Sequence, residues 1–220
     1  MARIDCERVQ VAETRRMAYS FFADVFSVEA TKEFVAGMVS FEATPGTVLS
    51  EFVSSLDGTD LEAVTSELRS EFCALFLNMS AHPVFTSESV YLSDNHIIMQ
   101  EPRNQVVDFY RANGLAVDGD SFDWPEDHIS MEMLFMAHLC GQEADLCRRS
   151  SEKGGGTCSS DQPIEKCLER QRLFFSEHLD RWVPVFAKEL ARIAETRFYR
   201  GVAEYLEEFL RSEREYLGTL

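Results

Sequence analysis

Apolar residues recur along this chain at steps of three and four, the spacing of one face of an α-helix. Residues 6–27 place Ala12, Tyr19, Phe22 and Phe26 on one face, with Val11, Ala18 and Val25 beside them. Residues 29–40 and 47–56 read as two shorter helices parted by Thr44-Pro45-Gly46. Asp57-Gly58-Thr59-Asp60 is a turn and cap that opens a strong helix over 60–78, where Leu61, Val64, Leu68, Phe72, Leu75 and Met79 form a stripe widened by Phe76. Residues 79–100 lose the period and read as a long loop, a kind of segment that in compact domains is often functional. A helix from Glu101-Pro102 ends at Gly114, a left-handed cap. Ala116–Asp123 is a flexible connector.

The segment Trp124–Cys140, WPEDHISMEMLFMAHLC, organises the rest. Pro125 suits the first helical position, and Glu126 and Asp127 suit the first turn. From Ile129 to Cys140 only Ser130, Glu132 and His138 are not apolar, so this helix belongs inside the protein. At about 1.5 Å per residue it is far too short to cross a membrane. Asp127 and His128 lie at its mouth as a polar notch, which on the residues alone reads first as a helix cap beside a hydrogen-bonded core histidine.

Arg148–Gln162 is rich in Gly and Ser and reads as a mobile loop at 149–162. Its three glycines are not a phosphate loop, because no Gly-Lys-Ser/Thr follows. Pro163 restarts a helix with Leu168, Phe175, Leu179 and Trp182 on one face, and Pro184 begins another with Phe186, Leu190 and Ile193. The last, from Arg197, carries Phe198, Val202, Tyr205, Phe209 and Leu210. No convincing alternating strand occurs. The pattern predicts an all-α, single-domain multi-helix bundle over 1–220, with about nine or ten helices. Its N-terminal half is 1–115, its C-terminal half 125–220, and the hinge 116–124 precedes the PEDH helix.

Composition narrows the function. Apolar residues make up 45% of the 220, with 17 Phe, so a sizeable core is available. The formal charge of −17 argues against nucleic acid or an anionic membrane as partner. The six cysteines, at 6, 73, 140, 147, 158 and 167, form no CxxC pair and read as reduced structural residues. Thr14-Arg15-Arg16 followed by MAYSFF resembles a twin-arginine export signal, but Asp24 and Glu29 break the apolar run and no small-residue cleavage site appears. The segment is expected to be an amphipathic helix of a protein that is not exported.

Catalytic patterns are missing. None of the five histidines lies three residues after a Glu, as a di-iron bundle needs, and HExxH is absent. No nucleophile elbow, Rossmann glycine pattern or kinase set occurs. An enzyme alternative stays open: a metal-dependent or acid–base site built on Asp127, His128 and Glu132.

Pro125-Glu126-Asp127-His128-Ile129, followed by Met131-Glu132-Met133-Leu134-Phe135-Met136, resembles the PxDHxxxELxFM signature of the TorD/DmsD family of molybdoenzyme chaperones. Glu71-Phe72-x-x-Leu75-Phe76, Glu88-Ser89-Val90-Tyr91, Phe109-Tyr110-x-x-x-Gly114-Leu115, Phe175-x-x-His178-Leu179-x-x-Trp182 and Phe198-Tyr199 follow the family's order and spacing. Each piece is weak alone; the ordered set, over roughly residues 60–210, is fairly specific. Two departures fall in the presumed binding region. Trp124 stands where the family often has Glu, and Thr86-Ser87 where many members have Pro and an aromatic.

The resemblance implies a cytoplasmic, non-enzymatic chaperone without a cofactor or metal of its own. Its partner would be the catalytic subunit of a molybdopterin oxidoreductase, bound by its twin-arginine leader, its body, or both, until the cofactor is inserted and export can follow. A relative's role for a partner without a leader is the alternative within the same class. The resemblance further implies a client-binding set of Phe72, Leu75, Phe76, Glu88, Ser89, Tyr91, Trp124, Pro125, Asp127, His128 and Glu132, in which Leu75 and Phe76, with the 85–91 loop, form an apolar wall. Neither nucleic acid nor membrane insertion is expected, and the protein would be a monomer or homodimer. A carboxylate notch beside an apolar groove complements a leader's two cations and apolar run.

Overall fold

The computed structural model describes residues 2–117, 124–152 and 162–218. Among them the chain is all-α, with ten α-helices and one π-helical turn. The helices are α1 (Ala2–Ser27), α2 (Lys32–Met38), α3 (Val48–Ser55), α4 (Leu61–Phe76), α5 (Glu88–Leu92), α6 (Glu101–Ala112), α7 (Ile129–Glu152), α8 (Gln162–Phe174), α9 (Asp180–Ile193) and α10 (Arg197–Gly218). The π-turn Phe175–Leu179 joins α8 to α9 without a break. Most of the expected hinge, and most of the expected loop at 149–162, lie outside the described residues; of the loop, the part from Arg149 to Glu152 is the end of α7. No described helix is long and apolar enough to cross a membrane.

The chain divides into two compact units, interleaved along the sequence. Unit 1 comprises Met1–Asp24, Ser87–Arg181 and Glu213–Leu220; unit 2 comprises Val25–Thr86 and Trp182–Ser212.

In unit 1, the first arginine of the lookalike pair is structural. Arg15 is buried on α1 and donates from Nε and Nη2 to both carboxylate oxygens of Glu213 on α10, at 2.6 and 2.7 Å. Its Nη1 donates to Glu143 on α7 at 3.0 Å, and its guanidinium lies 4.4 Å above the Tyr216 ring. Tyr19 donates to Glu213, and Gln171 of α8 and Tyr216 donate to Glu143. Arg16 instead meets Glu13 on the surface of α1. Cys140 and Cys167 are free and buried, and Cys147 is buried too; burial pushes the Cys140 thiol well up, so it packs as a small apolar group.

Unit 2 is built on aromatic rings. Phe76 contacts Phe26, Phe72, Phe186 and Tyr199 at centroid separations of 5.8, 5.2, 6.4 and 5.7 Å. Glu71 of α4 accepts from the backbone N–H of Thr196 at 3.1 Å and so holds the start of α10, where Thr196 also caps with its own hydroxyl. Gly201 of α10 lets the backbone of α3 approach: a Cβ there would stand 2.5 Å from the Leu49 nitrogen.

Several elements differ from the pattern's expectation. α4 stops at Phe76, Asn78 turns into the left-handed region, and Met79 leaves the stripe at 72% exposure. The segment 79–100 contains the short helix α5. α7 begins at Ile129, so Pro125, Glu126 and Asp127 form a turn ahead of it and not its first turn. Pro184 lies inside α9 and does not begin a helix. The π-turn Phe175–Leu179 lies just upstream of it. Gly114 does take the left-handed cap, with φ 74°.

Two stability outcomes follow. Arg15→Ala should lower the unfolding free energy by about 3–5 kcal/mol, because two buried carboxylates lose their countercharge; urea unfolding at neutral pH measures it, and a near-neutral effect would mean water answers those carboxylates. Leu75 is only 2% exposed. Its truncation to Ala should therefore carry a full core cost of about 2–5 kcal/mol, and a loss within the roughly 0.5 kcal/mol typical of surface changes would show its side chain to be wet.

Candidate functional site

The turn Trp124–His128 is closed by the His128 N–H, which donates to the Pro125 carbonyl at 3.0 Å. It runs antiparallel past Ser87, the one isolated β-bridge among the described residues. This places Asp127 against the start of α5. The Asp127 carbonyl accepts from the Glu88 N–H, and its Oδ2 accepts from the Ser89 N–H, both at 2.9 Å. Asp127 thus caps a helix 38 residues upstream of itself. Ser87, in the N-cap position of α5, makes no side-chain cap bond.

α7 is capped by the neighbouring residue. His128 Nδ1 accepts from the Ser130 N–H at 3.2 Å and lies 2.7 Å from the Ser130 hydroxyl. An acceptor Nδ1 requires the neutral ring with its proton on Nε2. Burial favours that form and pushes the His128 pKa from an ordinary 6.5 to about 3. Trp124 stacks on the ring at 4.4 Å with planes 13° apart. Asp127 Oδ1 and His128 Nε2 are buried without a hydrogen-bond partner among the described residues.

Around the turn the structure gathers acid. Glu88, Asp127 and Glu132 are all fully buried. Glu88 accepts from His178 Nδ1, at 3.0 Å to the nearer carboxylate oxygen. His178 stands on the π-turn against Phe174 and Phe109, with centroids 4.8 and 6.1 Å away. Tyr110 donates to the Glu126 carbonyl, and its phenol is pushed well up by burial and then by the charges of Glu132, Asp127, Glu88 and Glu126. Glu126 is half-buried; burial pushes its carboxyl up, but the Arg103 fork at 2.7 and 2.8 Å more than offsets this and leaves it low. Among the described residues no three His, Cys, Asp or Glu side chains converge to hold a metal ion.

Of the expected set, unit 1 brings together Glu88, Ser89, Tyr91, Trp124, Pro125, Asp127, His128 and Glu132. Tyr91, Trp124 and Pro125 are half-buried, and the other five are buried. Phe72, Leu75 and Phe76 belong to unit 2 and are buried there, so they present little surface as a wall. Leu75 does reach the floor of a cleft of about 810 Å³ rimmed by Glu67, Glu71, His82, Arg192 and Glu195. The expectation placed His178 in a motif but not in the site, although its Phe-x-x-His-Leu spacing was the available signal. Ser130, whose amide fixes the His128 tautomer, carried no signal beyond lying two residues on.

Acid should expose the His128 environment. The unfolded chain binds a proton on this residue below about 6.5, and the folded chain only near 3, so folding stability falls as pH drops through that window. The loss should reach on the order of 2 kcal/mol by pH ~5. His128→Gln does not titrate, so its stability should decline less between pH ~7 and ~5 when both proteins are unfolded in urea. Equal declines would place the His128 ring in contact with water.

Residues 42–188 match the family model described as "Nitrate reductase delta subunit". The protein named "Chaperone protein TorD" of Vibrio vulnificus (strain YJ016) is 24% identical over 218 residues, which cover 93% of this chain and 95% of that one. The protein of the same name from Vibrio atlanticus (strain LGP32) is 25% identical over 219 residues, 94% and 95% of the two chains. That of Vibrio cholerae serotype O1 (strain ATCC 39315 / El Tor Inaba N16961) is 27% identical over 154 residues, 70% and 64%. The motifs quoted above, the all-helical fold and these matches agree: the chain belongs to the nitrate reductase delta subunit family, and it is similar over most of its length to proteins named as TorD chaperones.

Proposed function

We propose that this protein is a cytoplasmic chaperone for the catalytic subunit of a molybdopterin oxidoreductase, and that it takes up the subunit's twin-arginine leader at the Trp124–His128 turn. Kinship with proteins named as TorD chaperones supports the chaperone reading and a non-enzymatic role. Holding the leader would delay export and leave time for cofactor insertion.

The observation that carries leader binding is the second carboxylate oxygen of Asp127. Oδ2 is engaged by the Ser89 amide, while Oδ1 is buried without a partner among the described residues. A buried acceptor left in this state costs free energy. A guanidinium that bonds it on binding removes that cost. The half-buried residues Trp124, Pro125 and Glu126 immediately precede Asp127 in the turn, and a guanidinium reaching Oδ1 would displace them. Glu88 and Glu132 lie buried in the same unit, so the local charge balance also favours a cation.

Asp127→Asn keeps the shape, retains an acceptor for Ser89 and removes the charge. Affinity for the leader peptide of a molybdopterin oxidoreductase encoded beside this gene should fall about tenfold or more, since a desolvated charge pair contributes on the order of 2 kcal/mol. The salt dependence of binding should shrink with it. Folding should be nearly unaffected, because Asn caps about as well as Asp. Calorimetric titration at low and moderate salt measures both; equal affinities and equal salt slopes would remove Asp127 from the site.

A further inference from the structure

The segment Ser93–Gln100, between α5 and α6, carries three consecutive large apolar residues turned to water. Ile97 and Ile98 are 54% exposed and Met99 is 55% exposed. Isolated exposed apolar residues are ordinary, but an uninterrupted exposed run is unfavourable in a free protein unless it serves binding. The backbone holds the run in place. His96 and Met99, neither of them glycine, take left-handed conformations with φ of 52° and 62°. His96 Nδ1 lies 2.9 Å from the Val90 carbonyl, to which it donates, and the Gln100 N–H donates to the Ser89 hydroxyl at 3.2 Å. Left-handed backbone at such residues is unfavourable and persists where surrounding contacts impose it.

The same Ser89 ties this loop to the turn described above. Its N–H donates to Asp127 Oδ2, and its hydroxyl receives the N–H of Gln100, the residue after Met99. One buried serine therefore links the carboxylate to the apolar run. The loop's charged neighbours are acidic and exposed, Asp94 on one side and Glu101 on the other. Arg103, the nearest Lys or Arg in sequence, is engaged by Glu126. An apolar partner arriving with negative charge meets repulsion here; one arriving with positive charge does not.

We propose that Ile97, Ile98 and Met99 are the docking surface for the apolar run that follows the arginines of a cationic leader, so that unit 1 reads the charged and apolar parts of one peptide through elements joined at Ser89. This rests on the leader-binding reading above and assigns the apolar contact to a loop, not to the buried Leu75 and Phe76.

The test uses the full chain and two synthetic peptides. One carries two adjacent arginines followed by a Leu–Ala run; the other keeps the arginines and replaces the run with Gly and Ser. The variant is Ile97→Ser with Ile98→Ser, and Met99→Ser is made separately should the double variant lower the melting temperature. Both positions are more than half exposed, so folding should be retained. Wild type should prefer the apolar peptide, and the double variant should lose at least about tenfold of its affinity for it. Its affinity for the Gly–Ser peptide and its salt slope should be unchanged, the reverse of the pattern for Asp127→Asn. Equal affinity of wild type and both loop variants for the apolar peptide overturns the loop assignment alone. Absence of binding of either peptide by wild type overturns leader binding and the loop assignment together. A fall in self-association of the variants on size exclusion, with peptide affinity unchanged, makes the occupant a second copy of this chain and overturns the proposal. Vesicle binding lost in the variants, with peptide affinity unchanged, makes it a lipid surface and overturns it equally.

Discussion

A guanidinium removed from water must be answered at nearly every donor, and Arg15 is so answered by residues 128 and 198 positions away. Desolvating such a charge costs several kcal/mol, and the attraction to its partners offsets this only when the geometry is good and the remaining lone pairs are bonded. Here Glu213 receives the fork and the Tyr19 hydroxyl, and Glu143 receives Arg15, Gln171 and Tyr216. The apolar face of α1 could slide by a turn and still bury carbon. The ionic network tolerates no such slip, because a displaced Arg15 leaves two buried carboxylates without a countercharge. The beginning of the chain, its end and α7 are therefore held in one register within unit 1.

That register carries to the candidate site, since α7 bears Glu143 along its length and Ser130 and Glu132 in its first turn. The adjacent residues Asp127 and His128 serve different helices. Asp127 closes the start of α5 through both its carbonyl and its carboxylate, and His128 closes the start of α7 with a ring nitrogen. The arrangement makes the neutral form of His128 part of the fold, because a protonated Nδ1 cannot accept the Ser130 amide. It also makes the position of α5 depend on a turn that follows it by some 38 residues. A change at the turn is felt first at the two amides of α5, and through Ser89 at Gln100.

Most helices were legible because their stripes are long and their period is plain. The errors fall where tertiary partners supply what the local sequence would normally supply. Pro125-Glu126-Asp127 has the composition of a first helical turn, yet the competing demand of α5 for an acceptor draws Asp127 away and delays α7 to Ile129. Pro184 reads as a helix start because a proline breaks a regular helix, yet it lies inside α9, five residues after a π-turn that no local pattern announces. α5 spans five residues, too few for a period to show. At the site, the signature identified Asp127, His128 and Glu132, and structure adds His178, whose pairing with Glu88 spans 90 positions and leaves no local trace.

The apolar residues teach the complementary lesson. A stripe such as Leu68, Phe72, Leu75 and Phe76 states that one helix face avoids water, but not whether another helix or a partner covers it. In this protein the Phe76 ring is covered from within, by Phe26, Phe72, Phe186 and Tyr199. Residues that the core does not claim must be sought where the pattern fails. Ile97-Ile98-Met99 lies in the segment whose period was lost, flanked by acid, and too short to be an element of its own. More than half of its surface stays exposed beside the described residues, and the backbone at His96 and Met99 is left-handed, a conformation unfavourable for residues other than glycine. A fold that keeps both an uncovered apolar run and a half-satisfied carboxylate, joined through one serine, has left its unmet contacts on the unit that carries the family's signature.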